Sequence, residues 1–93
     1  MTTQREVVVE VTKLKVLSLK NMYLNNDALN GIGSLVNLES LDIAENPDIN
    51  DDAMPNLEGL KKLKSLNLNQ VPNVSTEAMD ALKEKIPGLE IVY

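Results

Sequence analysis

The sequence of 93 residues contains no cysteine, histidine, phenylalanine or tryptophan, and its aromatic side chains are limited to Tyr23 and Tyr93. The absence of cysteine excludes disulfide bonds, thiolate nucleophiles and cysteine-based zinc sites. The absence of histidine removes the most common general base and metal ligand of proteins. With so few aromatic rings, binding by stacking on bases, sugars or flavins is nearly excluded.

Positive charge and long apolar runs are scarce as well. Nine Lys and Arg residues stand against fourteen Asp and Glu residues, which gives a net charge of −5. Nucleic-acid binding requires clustered positive charge, so we expect no nucleic-acid partner. A membrane span requires about 18 consecutive apolar residues, and Glu10 already interrupts the valine run at 7–9. We therefore expect no membrane partner and no signal peptide, with a cytoplasmic location as the default.

The residue combinations that carry out catalysis are not found either. Catalysis needs a nucleophile beside a base, or paired carboxylates in a pocket. The adjacent carboxylates Asp51 and Asp52 are expected at an exposed helix start. The segment Gly31-x-Gly33 lacks the third glycine of a phosphate-binding loop. We predict that the chain is not an enzyme and binds no cofactor.

One segment begins like a calcium-binding loop. Asp48-x-Asn50-x-Asp52 has the spacing of the first three ligands. Ala53 stands where the sharp turn of such a loop requires glycine, and Gly59 stands where the last ligand should be glutamate. We therefore predict no metal site.

What the sequence does contain is an internal repeat. The pattern L-x-x-L-x-L begins at Leu14, returns at Leu38 and again at Leu63, and a fourth start follows at Leu89. Apolar residues downstream of each start repeat in register over three units. These further columns are Leu24, Ile49 and Val74; Ala28, Ala53 and Ala78; Leu29, Met54 and Met79; Ile32, Leu57 and Leu82; and Leu35, Leu60 and Ile86. Such a regular repeat is typical of proteins built from stacked units.

Each unit reads as a strand followed by a helix. Alternation at Leu17-x-Leu19 predicts a short strand with one buried face, and the spacing i, i+1, i+4, i+7 from Ala28 predicts a helix face. Polar residues at 26–27, 51–52 and 75–77 are typical of helix N-caps and first turns. Glycine and proline within the first two helices predict short or partly 3₁₀ elements, whereas the third should run from Ser75 to Lys85. Stacked units would place the strands in a parallel sheet on one side and the helices on the other.

The repeat resembles that of leucine-rich repeat proteins, closest to the helical, ribonuclease-inhibitor-like type, from about residue 14 to residue 93. One position departs from that family's pattern. The family usually has Asn or Cys three residues after the last strand leucine, and this chain has Met22, Asn46 and Val71 there. The resemblance implies an α/β fold, namely a right-handed solenoid with a parallel sheet on its concave face and short helices on its convex face. It also implies that the concave face binds another protein.

The expected organisation is a single domain over residues 1–93, with two ends that differ from the repeats. We divide the domain into a cap segment at 1–13, repeats at 14–37, 38–62 and 63–88, and a terminal strand at 89–93. Three valines at 7–9 favour a strand in the cap segment, whereas Thr3-x-x-Glu6 matches a helix capping box. For the terminal strand, we expect Val92 inside the core and Ile91 and Tyr93 on the concave face.

The candidate site is the set of strand residues that alternate with the buried leucines. These residues are Val16, Ser18, Lys20, Ser40, Asp42, Ala44, Ser65, Asn67, Asn69 and Tyr93. They would form a polar protein-docking surface with Tyr93 as its anchor, because binding energy concentrates on a few large residues. Alternatively, these small polar side chains only keep an exposed sheet hydrophilic and bind no specific partner.

Two further readings concern partners. Eight acidic residues and no basic residue lie between Asn21 and Leu60, which favours either steering of a basic partner or simple solubility. A bare terminal strand also leaves unpaired backbone groups. We therefore predict a protein-binding module for an unidentified partner. The alternative is a structural solenoid unit, or a fragment of a longer repeat array, that associates through an exposed end and forms homo-oligomers through an end strand.

Overall fold

The computed structural model describes residues 13–93, in which short strands and helices alternate. The elements are β1 (Val16–Ser18), α1 (Asn26–Ile32), β2 (Ser40–Asp42), α2 (Asp51–Leu57), β3 (Ser65–Asn67), α3 (Thr76–Lys85) and β4 (Glu90–Val92). The alternation gives an α/β fold, as the sequence predicts. The cap segment predicted at 1–13 lies outside the described residues except for its last residue, so both of its alternatives stay predictions.

The four strands form one parallel sheet in chain order. Leu17 of β1 pairs with Leu41 of β2, and Leu41 pairs with Leu66 of β3. Parallel neighbours cannot be joined by a tight hairpin, and here a loop and a helix make each connection. The predicted repeats thus supply one strand and one helix each, in the predicted register.

The hydrophobic core lies between the sheet and the helices. Leu41 and Leu66 point from the centres of their strands into this core, and they are almost fully buried. Leu29, Leu57 and Leu82 meet them from the three helices and belong to the same apolar cluster. One short strand and one short helix bury too little apolar surface to be stable alone, so each repeat depends on its neighbour.

The helices begin at polar residues that recur every 25 positions. Asn25, Asn50 and Ser75 are the N-caps, and their side-chain oxygens accept hydrogen bonds from the backbone of the first turn. Ser75 lies within the predicted range 75–77. Asn25 and Asn50 each lie one residue before the predicted ranges 26–27 and 51–52, whose residues are in the first turn instead. An N-cap needs extended backbone, which Asn25 and Asn50 have, and this leaves the acidic residues in the first turn, where the helix dipole favours them.

The helices differ in type in the way that the sequence predicts. α2 is a 3₁₀ helix with Pro55 inside it. Proline has no amide donor and clashes with the preceding turn of an α-helix, which favours the tighter form here. α1 is a seven-residue α-helix followed by Gly33, and α3 is the longest helix of the described part.

The register predicted for the last strand is wrong by one residue. Ile91 pairs with Leu66 and points into the core, whereas Val92 pairs with Asn67 and lies 53% exposed. Tyr93 follows the strand and does not belong to it.

The physical reason for this error is that the segment between the buried leucine and the strand is one residue shorter before β4 than before β3. In the third repeat, Lys64 separates the buried Leu63 from the first strand residue, but Glu90 begins β4 directly after the buried Leu89. The N–H of Glu90 donates to the carbonyl oxygen of Lys64 at 3.0 Å, which fixes this register. Gly88, with a φ of 88°, makes the turn that brings Leu89 into the core.

Candidate functional site

One side of the sheet has no helix over it among the described residues, and we call this side the outer face. Its residues are Val16, Ser18, Ser40, Asp42, Ser65, Asn67, Glu90 and Val92. All of them are exposed or half-buried. Parallel sheets are normally covered on both faces. An uncovered face is therefore the best candidate for a surface that contacts another molecule.

Most residues of the predicted site lie where the sequence places them. Six of them are on the outer face: Val16, Ser18, Ser40, Asp42, Ser65 and Asn67. Lys20 and Asn69 are exposed just beyond the ends of β1 and β3. Tyr93, the predicted anchor, lies beyond the end of β4 with 66% of its surface exposed and is not one of the strand residues of the outer face.

Val92, which the sequence predicts inside the core, lies on the outer face instead. It pairs with Asn67 and presents an apolar side chain on the outer face. The repeat spacing contains the signal that identifies it, because counting 25 residues from Leu66 gives Ile91 as the inward residue. Counting from Leu63 to Leu89, the first leucines of their units, gives a spacing of 26 and wrongly places Val92 inside the core.

The prediction that Ala44 is exposed is also wrong, because Ala44 is almost fully buried. Its backbone N–H donates to Oδ1 of Asp42 at 3.0 Å, and its carbonyl oxygen accepts from the N–H of Asn21 at 2.9 Å. The N–H of Asn21 in the first repeat donates to Ala44, and the N–H of Glu45 donates to the carbonyl oxygen of Asn69 in the third, so neighbouring repeats flank this position on both sides. Of the predicted residues just beyond β1, β2 and β3, only Lys20 and Asn69 are therefore exposed.

The polar side chains in the middle of the outer face also end the strands. Oδ1 of Asp42 accepts from the N–H of Ala44, and Oδ1 of Asn67 accepts from the N–H of Asn69 at 2.9 Å. Bonds from an Asp or Asn side chain to the backbone two residues on form a tight turn. Asp42 and Asn67 are thereby held in fixed positions on the outer face.

Asn46, at the position typical of the leucine-rich repeat pattern, belongs to the loop that follows β2, and its side chain is fully buried. Its Oδ1 accepts hydrogen bonds from the N–H groups of Met22 and Leu24, at 3.1 and 2.9 Å. Its Nδ2 donates to three backbone carbonyl oxygens, those of Leu19, Ile43 and Ala44. One side chain therefore ties the loops of the first two repeats together. Val71 fills the equivalent position of the third repeat with a buried apolar side chain.

Two further contacts join successive repeats where the helices begin. Asn26 and Asn50 exchange hydrogen bonds, because Asn26 donates to Oδ1 of Asn50 and accepts from its backbone N–H. The carboxylate of Asp51 accepts from the N–H of Ser75 at 2.6 Å and from its hydroxyl at 2.7 Å. The backbone and side-chain hydrogen bonds from Ser75 hold the pKa of Asp51 below its ordinary value.

Charge is separated between the two edges of the described structure. The carboxyl edge, where the strands end and the helices begin, carries Lys20 and the acidic residues Asp27, Asp42, Glu45, Asp48, Asp51, Asp52 and Glu77. The amino edge, where the helices end and the strands begin, carries more basic than acidic residues: Lys13, Lys15, Lys61, Lys62, Lys64, Lys83 and Lys85 against Glu39, Glu58, Glu84 and Glu90. The acidic stretch seen in the sequence is thus not one patch, because Glu39 and Glu58 lie at the amino edge, with Glu39 3.7 Å from Lys64.

Among residues 13–93, no group of three or more acidic side chains is arranged to hold a metal ion. The residues that resembled a calcium loop instead begin α2, where Oδ1 of Asn50 accepts from the N–H of Asp52 at 2.9 Å. Within the same residues, no helix has the length and apolar character needed to cross a bilayer. No protein-family model matches the sequence, and no curated protein matches it significantly.

Proposed function

We propose that the chain is a right-handed leucine-rich repeat solenoid and a non-catalytic module that binds another protein through its outer face. The in-order parallel sheet with a helix after each of its first three strands supports the solenoid, since such crossovers are right-handed in nearly all proteins. The hydrogen bonds of Asn46 to the preceding loop support it further, because they are what the family's Asn supplies.

The observation that carries the binding function is the uncovered outer face. The side chains of Ser18, Ser40 and Ser65 are small, and those of Asp42 and Asn67 bond to the backbone of their own loops, so these five lose little conformational entropy when they are covered. The backbone beneath them is fixed by the sheet and by Asn46. A preformed, accessible surface of this kind favours binding of a partner over catalysis.

The size of the outer face indicates how much of the molecule a partner must contact. Four strands spaced about 4.8 Å apart, with three residues each, cover roughly 200 Å² of sheet. A specific protein interface buries about 800 Å² on each partner. A partner bound to the outer face must therefore extend over the loops of at least one edge.

Paired lysine substitutions test the proposal. Ser40→Lys with Ser65→Lys places two long charged side chains on the outer face, where both serines are half-buried. The matched control, Asn30→Lys with Ala81→Lys, adds the same charge at exposed positions of α1 and α3. We expect the outer-face variant to lose specific proteins that the wild type and the control capture from the source lysate. Equal capture by all three proteins would overturn the proposal.

A second candidate function is that of a structural unit that assembles through its end strand. β4 is an edge strand in the described sheet, and its last residue Val92 and the following Tyr93 are largely exposed. Unpaired strand edges with apolar side chains promote association. Light scattering over a range of concentrations tests this alternative, and a monomer of 10.3 kDa at every concentration would overturn it.

A further inference from the structure

A groove of about 550 Å³ opens at the amino edge of the sheet, next to the outer face. Leu63, which is almost fully buried, lies at its base, and Gly88 forms part of one wall. No other atom lies within 4 Å of the place where a side chain on Gly88 would begin, so this wall is open. The groove is lined by Lys61, Lys62 and Lys64, and we call it the lysine groove.

The three lysines of the groove are held by contacts that leave them able to bind a ligand. Nζ of Lys61 donates to the carbonyl oxygen of Lys85 at 2.9 Å, and Nζ of Lys62 donates to Oδ1 of Asn37 at 3.0 Å. Nζ of Lys64 lies 3.7 Å from a carboxylate oxygen of Glu39. Each contact uses one N–H of an ammonium group that has three. The remaining N–H groups can donate to an anion in the groove.

The charge of the lysine groove indicates the chemistry of its ligand. The groove is lined by three lysines and one carboxylate, Glu39, and Glu90 follows the turn at Gly88, so lysines outnumber the nearby carboxylates in a chain whose net charge is −5. The helix dipole accounts for lysines in the last turn of α3. Lys62 and Lys64 belong to no helix, so that explanation does not extend to them.

The position of the lysine groove indicates that its ligand is part of a polypeptide. Lys64 directly precedes Ser65 of β3, and Glu39 directly precedes Ser40 of β2. A chain that lies along the strands of the outer face would therefore leave it over these residues. Nucleic acid is a poorer occupant, because a long polyanion would also meet the acidic residues of the carboxyl edge. We infer that the lysine groove binds an acidic polypeptide segment of the protein that docks on the outer face, an inference that rests on the proposed function.

Fluorescence anisotropy with a labelled oligoglutamate peptide tests this inference. We expect saturable binding to the wild-type chain at low salt, weakened by added salt because the contacts are between charges. Lys62→Gln with Lys64→Gln should weaken binding about tenfold, because two charge contacts with the peptide are removed. The matched control, Lys20→Gln with Lys83→Gln, removes the same charge outside the groove and should bind nearly as well as the wild type.

Two outcomes would overturn the inference. One is absence of saturable binding, or equal weakening in both double variants. The other is equal or tighter binding of a labelled oligothymidylate or of tripolyphosphate, which would indicate a general anion site.

Failure of the inference can be told apart from failure of the proposed function. If the serine-to-lysine pair on the outer face abolishes protein capture but oligoglutamate does not bind, only the inference fails. If oligoglutamate binds in the groove but the outer-face pair captures proteins normally, the proposed function fails.

Discussion

The backbone N–H of Leu24 donates to Oδ1 of Asn46 at 2.9 Å, although 22 residues separate the two in sequence. This contact lies at the junction of the first two repeats, where the other hydrogen bonds of the Asn46 side chain also converge. In the described part of the chain, Asn46 is the one fully buried polar residue. A single amide thus satisfies backbone groups that the turn after β1 would otherwise leave unpaired.

Replacing the Asn46 side chain should therefore lower the stability of the fold. We expect Asn46→Ala to lower the free energy of unfolding by about 3 kcal/mol, because several buried backbone groups lose their partners. Asn73→Ala is the control, since Asn73 is exposed and donates to the carbonyl oxygen of Pro47, and it should cost less than about 1 kcal/mol. Urea unfolding followed by circular dichroism measures both, and equal costs would contradict this role of Asn46.

Two glycines of the first repeat should respond in opposite directions to alanine. A Cβ on Gly33 would lie 2.5 Å from the carbonyl oxygen of Asn56, whereas a Cβ on Gly31 would have no atom within 4 Å. We expect Gly33→Ala to destabilise the fold by roughly 1–3 kcal/mol, because the clash is with backbone. Gly31→Ala should stabilise it by about 0.5–1 kcal/mol through higher helix propensity. Thermal unfolding of both variants tests the pair, and the same direction of change in both would contradict the packing of α1 on α2.

The column of small residues in the helices predicts an overpacking effect. Ala53 in α2 is fully buried, whereas Ala81 in α3 is exposed. We expect Ala53→Leu to cost roughly 1–3 kcal/mol of stability because the core has no room for the larger side chain. Ala81→Leu should change stability by less than about 0.5 kcal/mol. Guanidinium unfolding measures the difference, and a neutral Ala53→Leu would mean that α2 is misplaced.

The register of β4 can be tested with two neighbouring residues. Ile91 is partly buried against the core, and Val92 is exposed on the outer face. Ile91→Lys should lower stability by roughly 2 kcal/mol because it brings a charge to an apolar contact. Val92→Lys should cost no more than about 0.5 kcal/mol. The reverse order of the two costs, measured by urea unfolding, would restore the register expected from the sequence.

The contact between Asp51 and Ser75 predicts a pH dependence. Hydrogen bonds from Ser75 lower the pKa of Asp51 in the folded state below its ordinary value of 3.8. The folded state therefore binds this proton less readily than the unfolded state. The stability that the ionised Asp51 adds to the fold is complete at pH values above the ordinary pKa of 3.8. It is lost as the pH falls through the lower, folded-state pKa.

An asparagine substitution checks this dependence. We expect the stability difference between the wild type and Asp51→Asn to shrink as the pH is lowered below 3.8. Asp52→Asn removes the same charge one residue further on without touching Ser75, and it serves as the control for the loss of charge alone. Chemical unfolding over a series of acidic buffers measures both variants. A constant difference for Asp51→Asn would contradict the lowered pKa.

The sequence predicts the α/β class, the parallel sheet and the pairing of Leu17, Leu41 and Leu66. These leucines hold the same position in successive repeats, and each must bury its apolar side chain in the same way. It also predicts the helix types, since Pro55 and the N-cap residues act locally. The register of β4 required knowing that one residue fewer precedes that strand. A spacing of 25 residues from Leu66 gives Ile91 as the inward residue, a spacing of 26 from Leu63 to Leu89 gives Val92, and the repeat alone does not decide between the two.

The outer face was predictable where it depends on strand alternation, as at Ser40 and Ser65. It was not predictable at Ala44, whose burial results from the neighbouring repeats and from a turn made by Asp42. The lysine groove combines residues 61–64 with the turn at Pro87 and Gly88, and their proximity depends on the tertiary fold. Patterns within one repeat cannot show such a meeting of two segments.

Both junctions between repeats have hydrogen bonds where the helices begin, but at the loops after the strands the first is held by the amide of Asn46 and the second by the isopropyl group of Val71. Apolar attraction weakens on cooling, whereas a buried set of hydrogen bonds does not fade in the same way. Near freezing, the C-terminal half should therefore open before the N-terminal half. Amide hydrogen exchange in the cold would then be faster in β3 than in β2, although both are interior strands of the same sheet.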